Sequence, residues 1–177
     1  MTPGSGNGFV TLYANQSRRP TGTLSVTGPA HGIGIALDKA GNCYWSYNTS
    51  LHGPGVIVEF PGCSGPAKTI VTGLQSAGGM AFNKLGRLFY VDSTAGTLNR
   101  CTNNGSTWTC AVLQSGFMQP TMINFDAKWR HLWLADPGAS TIYALDPVHG
   151  KILSSTPAHS APSDPPFGIA PAPGTPN

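Results

Sequence analysis

The sequence predicts an all-β chain built from a repeated four-stranded sheet, with a period of about 45 residues. Three observations carry this prediction. A short motif recurs at nearly constant spacing. Apolar runs of four to six residues are separated by Gly, Pro and Asn clusters. No stretch sustains the 3.6-residue period of a helix.

The motif is an apolar strand ending in Asp or Asn, a turn, and an aromatic strand. Gly34-Ile-Ala-Leu-Asp38 precedes Cys43-Tyr-Trp-Ser-Tyr47, and Gly79-Met-Ala-Phe-Asn83 precedes Leu88-Phe-Tyr-Val-Asp92. Met122-Ile-Asn-Phe-Asp126 precedes His131-Leu-Trp-Leu-Ala-Asp136, and a fourth copy opens at Gly168-Ile-Ala170. The anchors Asp38, Asn83, Asp126 and Ala172 lie 45, 43 and 46 residues apart. Each full copy continues into a third strand (Val56–Phe60, Thr97–Cys101, Thr141–Leu145) and a fourth (Lys68–Thr72, Thr109–Leu113, Lys151–Ser155). Repeats of this length and strand content predict a β-propeller.

The N-terminus is out of phase with this pattern. Val10–Tyr13 reads as a third strand and Thr21–Gly28 as a fourth. The expected organisation is therefore a half blade at 8–30, full blades at 31–75, 76–118 and 119–165, and a closing strand at 166–172. Residues 1–7 and the tail 173–177 lie outside it, and 1–7 are expected to be disordered. That makes about four blades, three complete and one shared by the termini. Closure within the chain and completion by oligomerisation are both open.

Composition agrees with turn-rich β-structure. Charged residues are 10% of the chain, well below the ~25% usual for globular domains. The deficit is made up by 23 Gly, 16 Pro and many small polar residues, while 40% hydrophobic content argues against a disordered chain. The net charge of +3 includes one adjacent basic pair, Arg18-Arg19, and no basic stripe, so nucleic acid is not an expected partner. No apolar run approaches the ~20 residues that span a bilayer. The start Met1-Thr-Pro-Gly-Ser-Gly6 has neither the basic nor the apolar region of a signal peptide.

The cores Ala36-Leu-Asp-Lys-Ala-Gly-Asn-Cys-Tyr-Trp-Ser46 and Ala81-Phe-Asn-Lys-Leu-Gly-Arg-Leu-Phe-Tyr-Val-Asp92 resemble the NHL-like and YVTN-like propeller repeats of bacterial extracellular proteins. The resemblance covers roughly residues 8 to 172. It implies a propeller scaffold, usually of six or seven blades. Its relatives include gluconolactonase-like metal hydrolases, streptogramin lyases and proteins that only bind partners. A scaffold with so many uses says little about function.

The four cysteines fall into two pairs, each symmetric about a hairpin turn: Cys43 with Cys63, and Cys101 with Cys110. Antiparallel pairing brings such residues within bonding range, so two disulfides are expected. Disulfides place the protein in an extracellular or periplasmic compartment. Neither spacing fits a structural zinc site.

Candidate reacting groups are few. The lactonase-like relatives hold a divalent cation with inward carboxylates and amides. Here the inner strands carry no carboxylate, and Asn124 is their only amide, so no metal and no cofactor is expected. Asp38, Asn83 and Asp126 read as turn caps. His31 leads into an inner strand and can titrate near neutrality, but no acid partners it in the sequence. Asp92 and Asp136 end equivalent strands, with Tyr47 at that place in the first copy. Two such acids can bind a cation or sugar, or cap loops, and turn chemistry favours capping. No Gly-x-Ser-x-Gly elbow and no phosphate loop is present. Trp108 and Trp129 are both expected in turns. Each is either a carbohydrate or partner contact, or a packing group against a neighbouring blade.

The reading that follows is an extracellular binding or scaffold propeller. Its partner is an unidentified small molecule, carbohydrate or protein, with no membrane and no nucleic acid, and homo-oligomerisation is open. The alternative is a hydrolase or lyase acting at the channel mouth.

Overall fold

A computed structural model describes residues 8–13, 18–51 and 53–158. The expected closing strand 166–172, the tail, residues 1–7, His52 and His159 lie outside the described residues. The chain divides into two compact units, Met1–Ala77 and Gly78–Asn177.

The first unit holds a two-stranded and a four-stranded sheet. β1 (Gly8–Tyr13) and β2 (Pro20–Val26) pair as a two-stranded antiparallel sheet. β3 (His31–Leu37), β4 (Cys43–Asn48), β5 (Gly55–Phe60) and β6 (Lys68–Leu74) follow in spatial order 3-4-5-6. The second unit holds two sheets of the same kind. One is β7 (Ala77–Phe82, beginning at the boundary), β8 (Leu88–Asp92), β9 (Thr97–Asn103) and β10 (Trp108–Ser115). The other is β11 (Met122–Phe125), β12 (Leu132–Asp136), β13 (Thr141–Leu145) and β14 (Ile152–Pro157). The assigned pairings are antiparallel. No α-helix occurs among the described residues.

β4 and β8 are buried along their whole length, and each anchors the core of its unit. In the first unit, Leu24 and Val26 of β2 pack with Trp45 and Tyr47 of β4 and Val58 and Phe60 of β5. In the second, Phe89, Val91 and Leu98 meet Ile123, Phe125, Leu132 and Leu134, with the Phe89 ring edge-on to Phe125 at 5.2 Å. Fully buried groups such as Phe60, Phe89 and Leu132 each contribute roughly 1.5–3 kcal/mol by removal from water.

One turn sets the phase of every four-stranded sheet. Asp38 Oδ1 accepts from the N–H groups of Ala40 and Asn42, both at 2.9 Å. Asn83 Oδ1 accepts from Leu85 and Arg87 at 3.0 Å, and Asp126 Oδ1 from Lys128 at 3.1 Å and Arg130 at 2.8 Å. The donors sit two and four residues on in all three cases. The fourth residue of each turn is left-handed: Gly41 at φ 85°, Gly86 at 74° and Trp129 at 58°. Glycine suits that position because it has no Cβ to clash. The third sheet places a tryptophan there.

Both expected disulfides form, by different routes. Cys101 and Cys110 are direct Cα partners across β9 and β10, with Cα atoms 4.0 Å apart. Cys43 lies opposite Phe60, not Cys63. A 3-10 turn over Pro61–Cys63 brings Cys63 back to within 4.7 Å of Cys43, Cα to Cα. Symmetry about the hairpin therefore explains one bridge, and the turn beyond the strand explains the other.

The bridges close loops of 20 and 9 residues. The chain-entropy relation gives about 3 kcal/mol for each, with the longer loop ahead by roughly 0.7 kcal/mol. Urea unfolding of the Cys43→Ala/Cys63→Ala and Cys101→Ala/Cys110→Ala variants should show both losses. A variant as stable as wild type would contradict the assignment.

Candidate functional site

The acids at the strand ends are buried and bonded to backbone N–H groups. Asp136 is fully buried, and its carboxylate accepts from the N–H groups of Met118 and Gln119, each at 2.8 Å. Asp92 is buried and accepts from Ala95 N–H at 3.1 Å. In the first unit the last residue of β4 is Asn48, one beyond Tyr47. Asn48 Oδ1 accepts from Ala77 N–H at 2.7 Å, and its amide donates to Ser76 Oγ. Asn48, Asp92 and Asp136 thus hold the loops beside their sheets. A buried, multiply bonded carboxylate is poorly placed to meet a ligand.

The other candidates lie on three different strands. His31 begins β3, is exposed, and pairs in register with Asn48 rather than an acid. Asn124 lies on β11 opposite Trp133 and spends its Oδ1 on the N–H of Phe125 at 2.9 Å. Trp108 is not in a turn: it is the first residue of β10, pairs with Asn103 and lies 6.2 Å from the Phe82 ring. The strand begins one residue earlier than the apolar run that marks it, because Trp108 itself pairs. No group of three or more His, Cys, Asp or Glu side chains able to hold a metal occurs among the described residues.

The rim of the third four-stranded sheet is different. Trp129 does sit in a turn, is 40% exposed, and rests against Phe125 with ring centroids 5.1 Å apart. Its left-handed backbone costs an aromatic residue about 1–2 kcal/mol relative to glycine. In the same turn, Asp126 Oδ2 lies 2.9 Å from His131 Nδ1. Leu132 and Leu145 are register partners, so the residues flanking them, His131 and Asp146, come to the same end of the sheet. Asp146 Oδ2 lies 2.7 Å from His149 Nδ1. Arg100 steadies that loop by donating to the Val148 carbonyl at 2.8 Å.

Each carboxylate orients an imidazole through Nδ1, leaving Nε2 as the ring nitrogen it does not engage. Sequence spacing missed both pairs because neither has a recognised pattern. The signal was available in the turn: Asp at position one and His at position four or six of a tight turn bring the groups together.

Hydrogen bonding shifts both acids. Desolvation pushes the Asp126 carboxyl up, but the Arg130 N–H and His131 outweigh it and hold it below the usual range. The Val148 N–H, then His149, lower Asp146 in the same direction. Burial first, and the Asp92 charge second, push the Tyr90 phenol up to about 12, so it is no acid–base group near neutrality.

No protein-family description matches the chain. No curated protein matches it either. Solved structures do. A luciferin-regenerating enzyme is 15% identical over 86% of this chain and 56% of its own, with a TM-score of 0.65. A chain of a nidogen–laminin complex is 20% identical over 85% of this chain and 59% of its own, also with a TM-score of 0.65. A protein of unknown function from Bacteroides caccae is 15% identical over 79% of this chain and 51% of its own, with a TM-score of 0.57. The chain has a β-propeller fold. It spans little more than half the length of these solved chains.

Two measurements test the rim. Trp129→Gly and Trp129→Ala both remove the ring, but only alanine keeps the left-handed strain. Glycine should be the more stable of the two by about 1 kcal/mol in urea unfolding. Equal stability would mean the backbone is not left-handed there.

A carboxyl with a folded pKa below its ordinary 3.8 adds stability above that pH and loses it as pH falls through the folded value. Asp126→Asn keeps a turn acceptor, as Asn83 shows, but loses the charge beside His131. Its deficit against wild type should be present at neutral pH and shrink as the pH falls below 3.8. A deficit independent of pH would contradict this.

Proposed function

We propose that the chain is an extracellular binding propeller of the NHL-like or YVTN-like kind, built on the blade divisions read from its sequence. It takes a carbohydrate on the rim of the third four-stranded sheet, and Trp129 is the principal contact. One observation carries this reading. A large aromatic residue occupies a left-handed position that the two sister turns give to glycine, and it stays substantially exposed. Strain kept at an exposed position is a mark of a functional site. A Trp face stacks on a sugar ring, and the Asp126–His131 pair of the same turn supplies hydrogen-bonding groups. Two disulfides support an oxidising compartment.

Asp92 and Asp136 have no part in this reading, because both are occupied in loops. His31, Asn124 and Trp108 are not proposed as ligand contacts. The structural neighbours include one named as an enzyme and one from a protein complex, so they support the scaffold without choosing between uses.

A second reading rests on the Asp–His pairs. A carboxylate-oriented imidazole is the arrangement of a general base, so a hydrolase or lyase would use His131 with Asp126.

Titration of soluble polysaccharides (a β-glucan, a galactan and a mannan) against intrinsic tryptophan fluorescence separates these. The binding reading predicts saturable quenching by at least one, weakened about tenfold or more in Trp129→Gly. Time-dependent release of new ends that His131→Ala abolishes would favour the enzyme. Absence of any binding, or binding indifferent to Trp129, would overturn the proposal.

A further inference from the structure

The second unit gathers its positive charge at one end. Its six lysines and arginines are Lys84, Arg87, Arg100, Lys128, Arg130 and Lys151. Lys84 and Arg87 lie in the turn from β7 to β8, and Lys128 and Arg130 in the turn from β11 to β12. Lys151 lies in the turn from β13 to β14. Register brings these turns to one end of each sheet: β8 starts there with Leu88 opposite Cys101, and β12 with Leu132 opposite Leu145. Arg100, next to Cys101, ties the two ends together by donating to the Val148 carbonyl at 2.8 Å. A second tie joins the opposite ends, where Ser93 Oγ donates to the Pro120 carbonyl at 2.6 Å. That opposite end holds the buried Asp92 and Asp136 and no lysine or arginine of this unit. No stripe is visible in the sequence because the six cations are scattered between positions 84 and 151, and only the strand order collects them.

The acids at the basic end do not answer this charge. Asp126 spends Oδ1 on the N–H groups of Lys128 and Arg130 and Oδ2 on His131. Asp146 spends Oδ1 on the Val148 N–H and Oδ2 on His149. The side chains of Lys84, Arg87, Lys128, Arg130 and Lys151 make no ion pair or hydrogen bond among the described residues. All but Arg87 are exposed. A surface lined by one sign of charge attracts ligands of the other. Trp129 stands between two of these cations, and it is the one exposed aromatic residue among the described residues of this unit.

We propose that the carbohydrate held at Trp129 is a polyuronate, a polysaccharide whose sugars carry carboxylates. This rests on the carbohydrate reading given above. Trp129 stacks on a sugar ring, while Lys128 and Arg130 pair with the carboxylates of the same stretch of chain. The planar guanidinium of Arg130 can donate two parallel hydrogen bonds to one carboxylate. Lys84, Arg87 and Lys151 extend the positive field along the end, which favours a polymer over a single sugar. A nucleic acid fits less well. Single-strand binders stack successive bases on several aromatic rings, and here one is exposed. The two disulfides also support an oxidising compartment.

Polygalacturonate and its fully methyl-esterified form share a backbone and differ in charge. Titration of each against tryptophan fluorescence tests the proposal. The acid form should bind at least about tenfold tighter at low salt, and the gap should close near about 1 M salt, where exposed charges are screened. Lys128→Gln/Arg130→Gln should bring the acid form down to the affinity of the ester. Should that variant fail to fold, the salt dependence of the wild type reads the same charge. Trp129→Gly should weaken both forms. Equal binding of acid and ester, both through Trp129, would overturn this proposal and leave the carbohydrate reading standing. Binding of the acid that is indifferent to Trp129, or no binding of either form, would overturn both. Tighter binding of dextran sulfate or of polyuridylate than of polygalacturonate would overturn the proposal in favour of a sulfated or a nucleic-acid ligand.

Discussion

The structure depends on a side chain that closes a turn. Asp38, Asn83 and Asp126 each bind two backbone N–H groups with one oxygen, and so fix where β3, β7 and β11 end. Everything downstream inherits that phase. A strand slipped by one residue would turn its whole apolar set to the wrong face. With the turn fixed, Leu132 and Leu134 meet the core and Trp133 faces the other way. The same device recurs between β13 and β14, where Asp146 Oδ1 accepts from Val148 N–H at 2.9 Å.

This explains why so much of the fold was legible in the sequence. Asx residues before a glycine mark turns by their own chemistry, and the apolar alternation around them marks strands. β3 and β13 fall where the sequence places them, and the strands read at Val10–Tyr13 and Thr21–Gly28 are β1 and β2. The failures have physical causes too. Trp108 reads as a turn residue because Asn-Asn-Gly-Ser precedes it, yet β10 extends to include it through pairing with Asn103. Cys43 and Cys63 look like cross-strand partners, but a 3-10 turn beyond the strand brings them together.

The candidate site was much less legible. Sequence could locate Trp129 in a turn but not its left-handed backbone, which only comparison of the three turns reveals. The two Asp–His pairs arise from turn geometry and share no motif. Asp92 and Asp136 stand out in the sequence because acids at strand ends are conspicuous, yet burial and N–H donors account for both. Tolerance of strain is the common thread at the rim. A turn whose acceptor bonds are already made can carry a tryptophan where glycine is cheaper, and that freedom lets one blade rim differ from its sisters.

Native-state hydrogen exchange of six turn amides tests the central claim most directly. Ala40 and Asn42, Leu85 and Arg87, and Lys128 and Arg130 lie at the surface or only partly covered, so solvent access alone predicts fast exchange. If the Asx oxygen holds each turn, all six should exchange at least about tenfold slower than unprotected amides, and each pair should lose protection when its own Asp or Asn becomes alanine. Fast exchange at all six in the wild type, or protection that survives those substitutions, would contradict the account.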